Sequence, residues 1–166
     1  IGTIPDNAFS ECHSLEKITM PETVTSLGKF ALNECLAMKE LYLPEKVSAI
    51  DGSIFRKDWL LEGIRLTDGI TEIPDNAFSG CYMLTELVIP AAVTAITKYA
   101  FENCKGMKRY YFLPVLPPKL SGATVFNGIP EDCKIYVPKG SLEAYQTANS
   151  WSNYASYMVE MEGDVL

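Results

Sequence analysis

A chain of 166 residues and 18.4 kDa matches one domain by the usual scale of about 150 residues, which leaves little room for a two-domain enzyme. Hydrophobic residues at 48% and charged residues at 21% are the proportions of a globular chain and exclude a disordered tail. Fourteen Lys and Arg against 21 Asp and Glu give a net charge of −7, the wrong sign for tracking a phosphate backbone, so nucleic acid is not an expected partner.

No run approaches the roughly 18 to 20 apolar residues of a membrane helix, so no membrane span is expected. The opening residues Ile1-Gly2-Thr3-Ile4-Pro5-Asp6 lack the basic start, apolar run and cleavage site of a signal peptide. They read as the beginning of a mature or excised fragment, which leaves localisation open. The heptapeptide IPDNAFS occurs at Ile4 to Ser10 and again at Ile73 to Ser79, 69 residues or three times 23 further on. Cut every 23 residues, the chain gives five units beginning at Ile1, Val24, Val47, Ile70 and Val93, without insertion until Val115.

Each unit carries the same order of elements. Its first and fourth positions are aliphatic throughout, from Ile1 and Ile4 to Val93 and Ile96, and predict a short irregular β segment. Asp6-Asn7-Ala8-Phe9-Ser10-Glu11-Cys12 and its equivalents follow, where Asp or Asn can cap one helical turn. Within that turn the ninth position reads Phe9, Leu32, Phe55, Phe78, Phe101, a stack of large apolar groups. Positions 15, 18 and 20 then form an L-x-x-L-x-L pattern whose end alternates with period two, a strand with one buried face. It is expected at Leu15 to Met20, Met38 to Leu43, Leu61 to Leu66, Leu84 to Ile89 and Met107 to Phe112. A unit this short cannot bury these side chains alone, but stacking places each column against itself along a continuous core. The expected fold is an α/β repeat solenoid, a right-handed superhelix with a parallel sheet, rungs of about 23 residues and short helical turns.

After residues 1–115 the register slips. Residues 116–140 read as a degenerate sixth unit whose strand, Ile135-Tyr136-Val137-Pro138, comes two residues late, and residues 141–166 as a helical cap and tail. Gly140-Ser141-Leu142 looks like a capped helix start, with Leu142, Tyr145, Trp151 and Tyr154 available to cover the last rung.

The stretch from Ile73 to Cys104, with its Ile-Pro pair, Ala-Phe pair, Cys and Leu-x-x-Leu-x-Leu strand in that order, resembles the BspA-like class of leucine-rich repeats. The run Val137-Pro138-Lys139-Gly140-Ser141-Leu142 and Tyr145 resembles the usual ending of such arrays. Unit three departs, with Asp58 for the Cys and Thr67 for the proline after the strand. The resemblance implies a bacterial extracellular or cell-surface protein engaged in attachment to host matrix proteins or other cells.

The residues themselves argue against an enzyme. His13 is the only histidine, too few for a His-based metal site, and it sits in a rim column with Leu36, Trp59, Tyr82 and Lys105. Cys12, Cys35, Cys81 and Cys104 share the twelfth column with parallel Cβ directions, poor disulfide geometry, and read with Cys133 as reduced, buried thiols. Asp6 and Asp75 recur with the repeat and read as turn caps. No common nucleotide or catalytic motif is present, and no cofactor or metal is expected.

What remains is the outward side of the strands. The seventeenth column, with Lys17, Glu86 and Arg109, and the nineteenth, with Tyr42, Arg65 and Tyr111, form one exposed surface. Tyr and Arg are enriched at binding hot spots, and Tyr42, Arg65 and Tyr111 are taken as a cluster on it. This points to a non-catalytic binding or adhesion module with a protein partner. The alternatives are a structural spacer, or a glycan-binding module using Trp59 and Tyr82 on the outer rim.

Overall fold

The computed structural model describes residues 2–163; Ile1 of the first aliphatic column and residues 164–166 of the tail lie outside them. The chain winds as a parallel-strand solenoid of about seven turns. One side carries two-residue strands at Thr3–Ile4, Ser26–Leu27, Ala49–Ile50, Glu72–Ile73, Ala95–Ile96 and Lys119–Leu120. A second side carries Glu40–Tyr42, Gly63–Arg65, Glu86–Ile89, Arg109–Phe112, Lys134–Val137 and Met158–Glu160. Every pairing is parallel and keeps the column register, as in Ile4 opposite Leu27 and Leu87 opposite Tyr110. The alternation of exposed Glu86, buried Leu87, half-buried Val88 and buried Ile89 is the period of two that a strand with one buried face requires.

The third side corrects the expected helical turn. Among the described residues the only helices are Leu142–Thr147 and the 3-10 segment Trp151–Tyr157. In the repeats, positions 7 and 11 instead adopt left-handed backbone angles: Asn7, Phe30, Ser53, Asn76 and Tyr99, then Glu11, Glu34, Lys57, Gly80 and Asn103. Such angles are uncommon outside glycine, and their recurrence reorients alternate amides. The N–H groups of Asn7, Phe9 and Glu11 donate to Lys29, Ala31 and Asn33 in the next unit, whereas those of Ala8, Ser10 and Cys12 donate back to Pro5, Asn7 and Phe9. The turn is thus itself a ladder between units. Asp6 and Asp75 follow the same logic: each carboxylate accepts the N–H of Lys29 or Lys98 in the next unit at 2.9 Å, so they tie rungs together rather than cap their own turn.

Leu15 to Met20 forms no strand. In unit five the Leu113 N–H donates to Ile89 O; the residue at that position in unit two is Pro44, which has no N–H to offer Met20. The other strands are shorter than expected, beginning at the third position of each range and running for three or four residues. At the far end, the tail supplies a further parallel strand, Met158–Glu160 against Ile135–Val137, which the sequence reading did not contain.

The core is the stacked columns. Phe55, Phe78, Phe101 and Phe126 are at most 1% exposed, with successive ring centroids 5.2, 5.8 and 5.3 Å apart. The last rung is closed by Tyr145, Trp151 and Tyr154, all buried, whose polar tips donate to the carbonyls of Pro114, Pro118 and Ala123 at 2.7, 2.7 and 2.6 Å. Each ring thus buries its apolar body with its donor satisfied. Ser141 stands at the helix N-cap without a side-chain capping bond; its hydroxyl donates to Val115 O instead.

Candidate functional site

The outward positions of the second side lie in two columns fixed by the strand register. Glu40 is opposite Gly63 and Tyr42 opposite Arg65; Glu86 is opposite Arg109 and Val88 opposite Tyr111. Lys17, Glu40, Arg65, Glu86 and Arg109 are exposed. Tyr42 stands furthest out of the aromatic residues, at 71% exposure. It separates a shallow cleft of about 330 Å³ whose walls include Lys17, Ile18 and Glu40 from one of about 190 Å³ bounded by Glu22, Glu45 and Arg65. Its hydroxyl donates to Glu40 Oε2 at 3.0 Å, and that carboxylate holds the phenol above its usual range.

The expected cluster of Tyr42, Arg65 and Tyr111 does not form. Val88 of unit four lies between Arg65 and Tyr111 in the column, and Tyr111 turns the other way to stack on Tyr136, 5.0 Å between centroids and 18° between planes. The face therefore has two centres. Tyr42 and Arg65 make one; Tyr111 and Tyr136 make the other, with Val159 beyond them opposite Tyr136. The sequence places Tyr136 in the strand of unit six but not in the column of Tyr111, because the two inserted residues move it off the strict period. Glu86 and Arg109 pair with each other at 3.4 Å, an exposed contact of little energetic weight.

On the outer rim, Trp59 and Tyr82 stack with centroids 6.1 Å apart and planes 16° apart. The Lys105 ammonium lies 5.6 Å from the Tyr82 ring centre. Leu60 and Met83 are exposed beside them. The ring faces that a sugar would use are thus turned toward neighbouring units. His13, in the same column, is exposed.

Cys35, Cys81, Cys104 and Cys133 are buried, Cys12 is half-buried, and all five are free. The column forms a thiol ladder: Cys35, Cys81 and Cys104 donate S–H to the carbonyls of Phe9, Phe55 and Phe78 in the preceding unit, at 3.3, 3.1 and 3.2 Å. Burial pushes Cys35 and Cys104 up to about 12, so these thiols are poor nucleophiles. Under denaturation without reductant, all five are expected to react with a thiol probe; a single reactive thiol would mean two disulfides and a different packing of this column. Among the described residues no group of three His, Cys, Asp or Glu could hold a metal ion, and no helix is long and apolar enough to cross a membrane.

The family model for a BspA type leucine rich repeat region, built of six copies, matches residues 1–108. The chain belongs to this family. Three solved structures show the same fold. A leucine-rich repeat protein of Bacteroides ovatus aligns with a TM-score of 0.69 and 24% identity over 85% of this chain and 42% of its own. The Treponema pallidum leucine-rich repeat protein gives 0.68 and 23% over 94% of this chain and 76% of its own. A leucine-rich cell-surface protein of Faecalibacterium prausnitzii gives 0.54 and 18% over 92% and 59%. The chain thus spans less than half the length of the first and about three quarters of the second. No match was found among curated proteins.

Within this BspA type array the departures of unit three have structural consequences. Thr67, in place of the proline, donates its hydroxyl to Val47 O. Asp58, in place of the cysteine, is fully buried. One carboxylate oxygen accepts the Cys35 N–H at 2.9 Å, and the other has no hydrogen-bond partner. Burial raises Asp58 to about 8.

Proposed function

We propose that this chain is a non-catalytic recognition module of a bacterial cell-surface or secreted protein, and that it binds a macromolecular partner, a protein, through the outward face of its second strand side. Tyr42 carries the reading. A Tyr that is largely exposed and stands between two clefts beside Arg65 is an anchor waiting for a complementary surface, and Tyr and Arg dominate interface energetics. The family membership and the cell-surface relative support the setting, with attachment to host matrix or to other cells as the role.

A glycan partner on the rim is the less favoured reading. Sugar rings stack on a free aromatic face, whereas Trp59 and Tyr82 face each other and Lys105 covers Tyr82. A pure spacer would leave both surfaces idle.

The test is the triple change of Tyr42, Arg65 and Tyr111 to Ala. Exposed substitutions usually shift stability by no more than about 0.5 kcal/mol each, so the melting curve should stay nearly in place, with Tyr111 contributing most because it loses its stack on Tyr136. Binding to arrayed matrix proteins or to whole cells should weaken by about 2 kcal/mol or more, the cost of losing a hot spot. Unchanged protein binding together with glycan binding sensitive to Trp59→Ala would move the site to the rim, and no binding to any of these surfaces would favour the spacer.

A further inference from the structure

Parallel pairing ties neighbouring units together on at least one strand side at every boundary except one. On the first side, units one, two and three form one sheet and units four, five and six another; on the second, units two and three pair with each other, and units four, five and six form a sheet with the tail strand. Both breaks fall between units three and four. Apart from the chain turn Ile70 N–H to Thr67 O, the backbone hydrogen bonds of the described residues across that boundary are those of the turn side, Ser53 to Asp75, Phe55 to Ala77 and Lys57 to Ser79, together with Met83 N–H to Trp59 O beside it.

The chemistry of three residues bears on the breaks. At the fifth position the N–H of Gly28, Asp51, Thr97 and, in unit six, Ser121 donates to the aliphatic residue of the preceding unit, Ile4, Leu27, Ile73 and Ile96. Unit four has Pro74 there, with no N–H to give Ile50. On the second side, unit four has Pro90, with no N–H to give Leu66, just as Pro44 has none for Met20, and unit three opens its strand with Gly63, which pairs with Glu40, where other units have Glu40, Glu86 and Arg109. Glycine loses more conformational freedom on ordering than any other residue and weakens a strand interior. In a solenoid, stability is a sum of unit terms and nearest-neighbour terms, so a boundary short of both ladders is where coupling is least.

We propose that the boundary between units three and four is a joint: the array is two blocks, units one to three and units four to the C-terminal strand, hinged along the turn side and opening on both strand sides. The turn side keeps the hinge closed through its hydrogen bonds, the Phe55 and Phe78 stack and the Cys81 thiol bonded to Phe55 O. The two aromatic centres of the outward face, Tyr42 with Arg65 and Tyr111 with Tyr136, sit on different blocks, so bending at the joint changes the distance between them.

Hydrogen exchange read by mass spectrometry on the intact chain tests this. Amides of units one to three should exchange as a group at least tenfold faster than those of units four to six, with a step at the boundary rather than a gradual rise toward the N-terminus. Restoring the donor and the side chain with Pro74→Thr and Gly63→Glu should shrink the step. At Gly63 an added Cβ meets nothing within 4 Å, so this single change reports even if the proline replacement folds poorly. Conversely, Thr97→Pro, which removes the equivalent donor one boundary on, should create a second step between units four and five. A smooth gradient in the parent, or a step untouched by both repairs, overturns the joint.

Discussion

Replacing Phe78 by Ala is expected to lower the unfolding free energy by about 3 to 5 kcal/mol, the range for deleting a buried Phe. The size follows from its place in the ladder. Phe78 is fully buried, with Phe55 on one side at 5.2 Å and Phe101 on the other at 5.8 Å. Truncation therefore removes two ring contacts and leaves a cavity between rungs that the neighbours cannot fill without breaking their own inter-unit bonds, Phe55 N–H to Ala77 O and Phe78 N–H to Ala100 O. For a chain of this size such a loss corresponds to a melting shift on the order of 10 °C. Denaturant melts of Phe78→Ala beside Tyr42→Ala measure it: the first should move far and the second scarcely at all. Equal shifts would mean that the ninth column does not hold the stack together. Any effect of Phe78→Ala on partner binding should disappear when binding is measured well below its melting temperature.

The columns were legible because stacking imposes the same environment on the same position every 23 residues, so the aliphatic and phenylalanine columns and the parallel strands could be read without any propensity argument. The turn was not. Asn7, Asn76, Asn103 and Gly80 hint at left-handed backbone, but Phe30, Glu34 and Tyr99 adopt it with no local preference for it; the ladder between units decides, and that is a tertiary effect. The roles of Asp6 and Asp75 were misread for the same reason, since a capping residue and a residue bonded to the next rung have the same sequence signature. On the outward face the column gave the exposed positions correctly but not their grouping. Val88 interrupts the column at unit four, and the two-residue slip of unit six concealed that Tyr136 stands in the column of Tyr111 and draws it away. The tail strand Met158–Glu160 is three residues long, too short for a periodic signal.

Raising the pH from about 4 to about 8 is expected to weaken the native protein through Asp58, and Asp58→Asn is expected to abolish that part of the dependence. In the other units the twelfth-position thiol donates to the ninth-position carbonyl one unit back, and the twelfth-position N–H closes onto the ninth-position carbonyl of its own unit, as in Cys81 to Phe55 O and Asp58 N–H to Phe55 O. At Leu32 neither bond is made, because the Cys35 N–H turns to Asp58 Oδ1 and Asp58 replaces the thiol. The unpartnered Asp58 oxygen can play the thiol's part only as a donor, that is, with a proton on it. Burial acts in the same direction and is the main cause of the rise from 3.8 to about 8, with the Glu34 charge adding to it while the Cys35 N–H opposes it. Because the folded state keeps the proton that the unfolded chain releases near pH 4, it binds more protons throughout the interval, so stability falls as pH rises and levels off above about 8. At 1.36 kcal/mol for each pKa unit of difference, the loss is on the order of 5 kcal/mol across the window. The buried thiols raised to about 12 remain protonated through it. The difference between the parent and Asp58→Asn in reducing buffer therefore isolates this one group. Asn preserves the acceptor for Cys35 and carries a permanent donor in place of the unpartnered oxygen. It should thus match the parent near pH 4 and exceed it increasingly toward pH 8. Two denaturation curves that stay parallel over that range would show that Asp58 is ionised in the folded protein and that the vacant oxygen is satisfied in some other way.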